Sequence, residues 1–386
     1  MSSKKLGNVL IRADLNVPIE DGKVLDKFRI ERSSKVVSLI RDRSNTITFI
    51  SHLGRPEKKT SKNSLSQIVV DLEEHLTEEV TFIDEVYGDK VSGAIKEANR
   101  FKIFLLENIR FDKGEVLNDM SFSKNIASPF DTYIFDAFGA SHREHASVVS
   151  IGEHLKSFQG PLVDEEISEL NQLKNPTANP YMIILGGSKV SDKISLIKNF
   201  LPKVDKMLIG GAMCFTFLKS MGHNIGRSLY QEEMLNECEK IINGEYFNKV
   251  LLPVDIGVTD NLVSTKRKDV SIDRISDTDI GIDIGPNTVN YFLKELTSAK
   301  LIFWNGPMGV FENSSFNSGT MALSKALTEY KGYTVVGGGD SVNAIKLFSD
   351  VSLYDFVSTG GGASLEFLQG KKLPGLGRYP SLEDSL

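Results

Sequence analysis

The stretch YMIILGGSKVSDKISLIKNFLPKVDKMLIGG, residues 181–211, decides the fold class. Two short apolar runs, YMIIL (181–185) and KMLIG (206–210), flank the helix-like segment KISLIKNFLPKV (193–204). Strand, helix and strand in this order form a βαβ unit, whose strands lie parallel in one sheet. The unit recurs on both sides. Toward the C-terminus, strands are expected at KVLLPVD (249–255), KLIFWN (300–305), YTVVG (333–337) and DFVST (355–359), with a helix at TVNYFLKELTSA (288–299). Toward the N-terminus they are expected at NVLIRADL (8–15), TITFISHL (46–53), VTFI (80–83), KIFLLENI (102–109) and TYIFDAF (132–138). Amphipathic stretches such as RIERSSKVVSLIRDR (29–43) and SLSQIVVDLEEHL (64–76) separate them. The fold class is α/β with largely parallel sheets. Between the two series, PLVDEEISELNQLKNPTANP (161–180) reads as a helix followed by a polar, proline-punctuated linker at a domain boundary.

A chain of 386 residues suits two or three domains, at roughly 150 residues each. A hydrophobic fraction of 40% and a charged fraction of 25% are those of a globular protein rather than a disordered one. The formal net charge of −6 argues against a general nucleic-acid binder, which needs a positive field toward phosphate. Two cysteines, Cys214 and Cys238, exclude a disulfide framework and point to a reduced, cytoplasmic compartment. The segment MSSKKLGNVLIRADL has no apolar core long enough for a signal peptide. No run approaches the ~18 apolar residues of a membrane span. Arginine and glycine are distributed unevenly. Nine of the 13 arginines lie within the first 143 residues, whereas 23 of the 32 glycines lie from Gly186 onward, so the halves differ in ligand chemistry.

In open α/β sheets, ligands bind outside the carboxyl ends of the strands. In the first half those ends carry Asp14 and Asn16, His52, Gly54 and Arg55, Arg110, then His142 and Arg143, with Arg29 opening the first helix pattern. A carboxylate, an amide, two histidines and four arginines suit a multiply charged anion with hydroxyls, because arginine forks clamp phosphate and carboxylate. A metal at His142 and His145 lacks a third ligand at suitable spacing. In the second half the strand ends read GGSKVSDK (186–193), IGGAM (209–213), WNGPMGVFE (304–312), GGGDS (337–341) and STGGGAS (358–364). Neither a Walker loop nor G-x-G-x-x-G occurs among them. Glycines there let backbone amides approach phosphates. Lys189 and Lys193, four apart near a helix start, are expected on one face, where they neutralise transferring phosphates. Asp340 can reach magnesium or simply cap a helix. Glu312 can accept from a ribose hydroxyl. Gly360, Gly361 and Gly362 precede a further helix start able to hold an anion.

RADLNVP (12–18), SHLGRP (51–56), ENIRF (107–111), DAFGASHREHAS (136–147), GGSKVSDK (186–193), WNGPMGVFE (304–312), GGGDS (337–341) and STGGGASLE (358–366) together resemble the phosphoglycerate kinase family, in order and spacing, over almost the whole chain. The resemblance implies two Rossmann-like parallel-sheet lobes joined by a helical hinge. The first lobe would comprise residues 1–160 plus about 368–386 and bind 3-phosphoglycerate. Residues 161–180 would be the hinge helix and linker, and 181–367 the nucleotide-binding lobe. It implies that Asp14, Asn16, Arg29, His52, Leu53, Gly54, Arg55, Arg110 and Arg143 hold 3-phosphoglycerate. Lys193, Gly281, Asn305, Glu312, Gly338, Gly339, Asp340 and Ser341 would hold ATP or ADP, with Asp340 supporting magnesium. Arg29, Lys189 and Gly361 would act on the phosphoryl group in flight. A monomeric, cytoplasmic, glycolytic transferase follows from the same resemblance.

The sequence departs from the family pattern at Leu15, where Phe is frequent, at Phe135, where Asn commonly stands, at Ala140–Ser141 in place of Thr-Ala, and at Ser341 in place of Thr. None of these removes a charge. The implied reaction, ADP + 1,3-bisphosphoglycerate ⇌ ATP + 3-phosphoglycerate, has a carboxylate nucleophile in the ATP-consuming direction. It is ionised at pH 7 and needs no general base. Two rivals stand beside this reading. A nicotinamide dehydrogenase would want G-x-G-x-x-G after its first strand, where DLNVP stands instead. A nucleotide-sensing scaffold would keep the glycine turns without needing the arginine–histidine set.

Overall fold

The central strands of the two large sheets are built from runs of apolar residues buried on both faces, as a sheet covered by helices on either side requires. In Tyr181–Leu185 every residue is buried, and in Gly7–Ala13 the last five are. The computed structural model describes residues 5–263 and 265–386. Its contacts divide the chain into two units, one running to Ser168 and including Lys372–Leu386, the other comprising Glu169–Lys371. The division falls inside the helix Pro161–Lys174.

Among the described residues, the first unit holds a six-stranded sheet in the spatial order Val80–Ile83, Lys102–Leu106, Ser44–Ile50, Gly7–Ala13, Thr132–Asp136, Lys156–Gln159. All its pairings are parallel. The chain leaves Gly7–Ala13 toward one edge and returns to its other side with Thr132–Asp136, so a topological switch lies between these two strands. Val9, Ile11, Ile47, Phe49 and Leu105 form the sheet's share of a core closed by Ile30, Val37 and Ile40 of the helix Phe28–Ile40. The C-terminal segment completes this unit. Gln159 pairs with Ser381, Leu382 N–H donates to Gln159 O at 2.9 Å and Gln159 N–H to Pro380 O at 2.8 Å, Leu382 is fully buried, and Gly375 N–H donates to Ser141 O at 2.8 Å.

The second unit holds a six-stranded parallel sheet ordered Val250–Leu251, Lys206–Ile209, Tyr181–Leu185, Leu301–Asn305, Tyr333–Val336, Phe356–Val357. Numbered along the chain, this is the 3-2-1-4-5-6 order of dinucleotide-binding sheets, with its switch between Tyr181–Leu185 and Leu301–Asn305. Trp304 is fully buried at this switch and its indole N–H donates to Gly306 O at 2.8 Å, which satisfies the one polar atom of the ring.

Several elements differ from expectation. The apolar run 249–255 is not one strand: Val250–Leu251 ends before Pro253, which has no N–H for a ladder, and Asp255–Thr259 joins a separate antiparallel sheet with Lys268–Ser271 and Ile280–Ile284. The strand Lys156–Gln159 was not expected at all; of its four residues only Phe158 is buried. The helix expected over 193–204 spans Ile194–Phe200.

Candidate active site

In the first unit, four adjacent strands deliver polar residues at one edge. Asp14 follows Gly7–Ala13, His52 follows Ser44–Ile50, Arg110 lies in the turn after Lys102–Leu106, and His142 and Arg143 follow the turn after Thr132–Asp136. Asp14 is almost fully buried, and Arg29 of the first helix donates to its Oδ1 at 3.2 Å, with Oδ2 at 3.1 Å. The same Arg29 Nη1 donates to Asn16 O at 3.2 Å. Asn16 Oδ1 accepts from Gly54 N–H at 2.8 Å, and Arg110 Nη1 donates to Gly54 O at 2.7 Å. Leu53 supplies its carbonyl to Asn108 Nδ2 at 2.8 Å, so Leu53 and Gly54 hold the loop by their backbones. Arg55 is exposed and Arg143 half-buried.

These cations act on each other. Burial, together with the charges of Arg12, Arg143 and Arg55, lowers the Arg110 pKa to about 10, although Glu115 opposes the shift. Burial, then Arg12, Arg110, Arg29 and His145, hold His52 well below the ordinary histidine value. A pocket in which positive groups depress one another is set up to receive an anion.

In the second unit, a cleft of about 340 Å³ is lined by Gly187, Phe215, Gly281, Phe311, Glu312 and Asp340 among others. Gly281 approaches Phe215 so closely that a Cβ would sit 1.9 Å from the ring. At the strand switch beside this cleft, Lys193 is buried, and its Nζ donates to Gly186 O and, at 3.0 Å, to Asn305 O. Burial lowers its pKa to about 7, against the pull of Asp340 and Asp192. Asn305 Nδ2 donates to Gly337 O at 2.6 Å. Ser341 Oγ accepts from Gly306 N–H at 2.6 Å and donates to Gly337 O at 2.8 Å, so the two glycine turns are stitched by one hydroxyl.

Of the expected nucleotide residues, Gly281, Glu312 and Asp340 line the cleft directly, and Lys193, Asn305, Gly338 and Ser341 form the hydrogen-bonded layer beside it. Gly339 opens the helix Gly339–Phe348 with open space at its Cα. Three expectations are corrected. Lys189 and Lys193 do not share a helical face: the helix begins at Ile194, Lys193 has φ −120° and is buried, and Lys189 is exposed. Asp340 does not cap its helix, because Gly338 occupies the cap with φ +95°. The Ser341 hydroxyl gives its proton to Gly337 O and accepts from Gly306 N–H, so its proton goes to backbone rather than to a ligand. Gly361, φ +54°, precedes the helix Gly362–Leu368 and does not line the cleft. The residues where the sequence departs from the family pattern pack without charge: Leu15 and Phe135 are fully buried. Sequence reasoning did not single out Arg12, Glu115 or Ser147. The available signal was a charged residue inside the apolar run NVLIRADL.

Two parallel sheets with ligand-type residues at their strand ends, one arginine-rich and one glycine-turned around a buried lysine, define an α/β phosphotransferase, a kinase. A family model described as phosphoglycerate kinase matches residues 3–371, and on that match the chain belongs to the phosphoglycerate kinase family. Similar proteins include the phosphoglycerate kinase of Thermosipho africanus, 44% identical over 377 residues (95% of this chain and 94% of that one), and that of Finegoldia magna, 44% identical over 375 residues (95% of each). The solved structure of phosphoglycerate kinase from Coxiella burnetii superposes with a TM-score of 0.83 at 35% identity, covering 97% of this chain and 96% of that one. The chain is thus an ATP-using transferase of glycolysis, and its reaction is the reversible phosphoryl transfer between 1,3-bisphosphoglycerate and ADP that yields 3-phosphoglycerate and ATP.

Proposed function

We propose that the two substrates of this reaction are divided between the two strand-end sites. 3-Phosphoglycerate is held in the first unit by Asp14, Asn16, Arg29, His52, Arg55, Arg110 and Arg143, with Leu53 and Gly54 shaping the loop. The nucleotide is held in the second by Lys193, Gly281, Asn305, Glu312, Asp340 and the turn Gly338–Ser341. The observation that carries this division is the gathering of Asp14, Arg29, His52 and Arg110 at adjacent strand ends of the first unit, where burial and then neighbouring arginines lower the pKa values of His52 and Arg110, a setting that suits an anion.

Among the described residues no three His, Cys, Asp or Glu side chains cluster to cage a metal. Asp340, exposed on the cleft wall, suits an ion that arrives on nucleotide phosphates and keeps several waters. Magnesium so bound would neutralise phosphoryl oxygens. Arg29 and Lys189 supply the remaining positive charge around the group in transfer, and Gly361 offers its helix start to the phosphates. The attacking carboxylate is already ionised, so positioning and electrostatics carry the catalysis. Because the substrates are assigned to separate units, the reaction requires them to be brought together, and the helix Pro161–Lys174, shared by both units, is the proposed hinge. Small-angle scattering should show compaction only with both substrates present. A monomeric state and a cytoplasmic location complete the reading: Cys214 and Cys238 are free and buried, and sedimentation checks the mass.

Cross-titration tests the division. Arg110→Ala should weaken 3-phosphoglycerate binding and leave ADP affinity unchanged, while Glu312→Ala should do the reverse. Equal losses of both ligands in either variant would count against the assignment.

A further inference from the structure

Arg12 is an anomaly of the fold. It is an interior residue of the strand Gly7–Ala13, 1% exposed, and its guanidinium reaches His52 of the first site. Its Nε donates to Ser147 Oγ at 2.9 Å, Nη1 to Ala13 O and Ser51 Oγ, and Nη2 contacts His52 Nδ1 at 3.0 Å. A guanidinium has five donors and no acceptor. His52 Nδ1 must therefore accept, and a neutral ring then carries its proton on Nε2. The other end of the chain is Glu115, fully buried. Its Oε2 accepts from Ser147 N–H at 2.9 Å and its Oε1 from Ser147 Oγ at 2.7 Å, with His145 Nδ1 at 3.6 Å. The Ser147 hydroxyl has one proton, which goes to Glu115, so its lone pair receives Arg12 Nε–H. Arg12 is thus the common donor, giving Nε–H toward Ser147 and Glu115 and Nη2–H to His52 Nδ1.

We infer that Glu115, acting through Ser147 and Arg12, positions His52 so that its Nε2–H donates to the bound phosphoglycerate. Burial opposes the ionisation of Glu115, but the neighbouring His145, the charge of Arg12 and the hydrogen bonds from Ser147 hold it as a carboxylate below its ordinary value. A neutral group there would leave Arg12 a buried cation with nothing but dipoles to hold it in register. Around His52 itself, burial, the cations Arg12, Arg110 and Arg29, and the neighbouring His145 disfavour a second proton. The histidine thus adds a directional donor to a site whose cations already supply the charge, and Arg12, Ser147 and Glu115 are positioning residues. The inference rests on the assignment of 3-phosphoglycerate to this unit.

The test is nitrogen-15 NMR of histidine-labelled full-length protein, with His52 assigned by its loss in His52→Gln. The expected spectrum is a neutral Nε2–H ring that does not titrate between about pH 5.5 and 8, with an Nε2 signal that shifts on adding 3-phosphoglycerate. An Nδ1–H ring, or a ring that becomes cationic in that range, overturns the relay. An Nε2–H ring untouched by 3-phosphoglycerate overturns the substrate assignment instead. Glu115→Gln should raise KM for 3-phosphoglycerate roughly tenfold, as expected for a lost charge-assisted contact, keep kcat and the KM for ADP, and average the two His52 nitrogen signals. Ser147→Ala, which deletes only the bridging hydroxyl, should act in the same direction and decides the matter if Glu115→Gln does not fold. Unchanged His52 signals and KM in a folded variant overturn the proposal.

Discussion

The two strand-end sites both lie at the carboxyl ends of parallel strands, in sheets of different strand order, and differ in chemistry. In the first unit the groups proposed to receive an anion are side chains, among them Arg29, held by the Asp14 carboxylate and Asn16 O, and Arg110, held by Gly54 O. In the second the proposed groups are largely backbone, at glycine turns, with the buried Lys193 amine beneath. The difference teaches what each site is sensitive to. A side-chain site fails when charge is removed and tolerates small changes of backbone. A backbone site fails when a Cβ is added and tolerates the loss of polar side chains that only line its rim.

Two substitutions break the comparison at its strongest points. Arg29→Ala should cost about 3 kcal/mol in kcat/KM, on the scale of a deleted oxyanion-hole donor, with ADP affinity unaltered. Arg29→Lys should recover only part of it, since a point charge cannot bridge Asp14, Asn16 and a phosphoryl group as a fork does. Steady-state rates decide; full turnover in the alanine variant would remove Arg29 from the mechanism. Gly306→Ala comes next. Gly306 has φ +95°, and a Cβ would stand 2.4 Å from both Gly186 O and Lys193 Nζ. Strained backbone of this kind costs roughly 1–3 kcal/mol. A lowered unfolding midpoint and weaker ADP binding are expected, with 3-phosphoglycerate binding intact.

The contrast also explains what could be read without a structure. Glycine turns after apolar runs are local signals, so WNGP, GGGDS and the strands before them stand where expected. Side chains at four strand ends are local too, which is why Asp14, His52 and Arg110 could be named. Partners that support them from far along the chain could not. Arg12 meets Ser147 across 135 residues of sequence, and nothing in RFDKGEV marks Glu115 as buried. The antiparallel sheet escaped because Lys268–Ser271 buries only Val270, leaving no apolar alternation. Lys193 was misplaced because a helical spacing of four says nothing about where the helix begins, and the turn before Ile194 turns this lysine inward.

Lys193 sharpens the comparison by its proton. In the folded protein burial lowers its pKa to about 7, from an ordinary value of 10.5. Between these values the unfolded chain binds a proton that the folded chain lacks, so this group makes stability rise with pH across that window. Denaturation at about pH 7 and pH 9.5 should show the slope in the wild type, and Lys193→Met should abolish this contribution. Nucleotide phosphates favour the charged amine, so ADP binding near pH 8 should take up a fraction of one proton, read by calorimetry in two buffers of different ionisation enthalpy. Lys193→Met should lose that uptake and roughly tenfold in affinity. Uptake that survives the substitution would assign the proton elsewhere.

The smallest expected effect distinguishes a hydroxyl that holds backbone from one that holds a ligand. Ser341 Oγ joins Gly306 N–H to Gly337 O inside the second unit. If that is its task, Ser341→Ala orphans a buried N–H and should lower stability by about 1–2 kcal/mol, with ADP affinity falling only as the turns loosen. Ser341→Thr keeps the hydroxyl and adds one methyl, in a residue 1% exposed. Its effect on both quantities should stay within about 0.5–1.5 kcal/mol, the ordinary range for a one-methyl change in a packed site. If instead Ser341→Ala left stability unchanged and weakened ADP binding alone, the hydroxyl would belong to the ligand. The second site would then be less purely a backbone site than its geometry indicates, and the contrast with the first unit would narrow to one of degree.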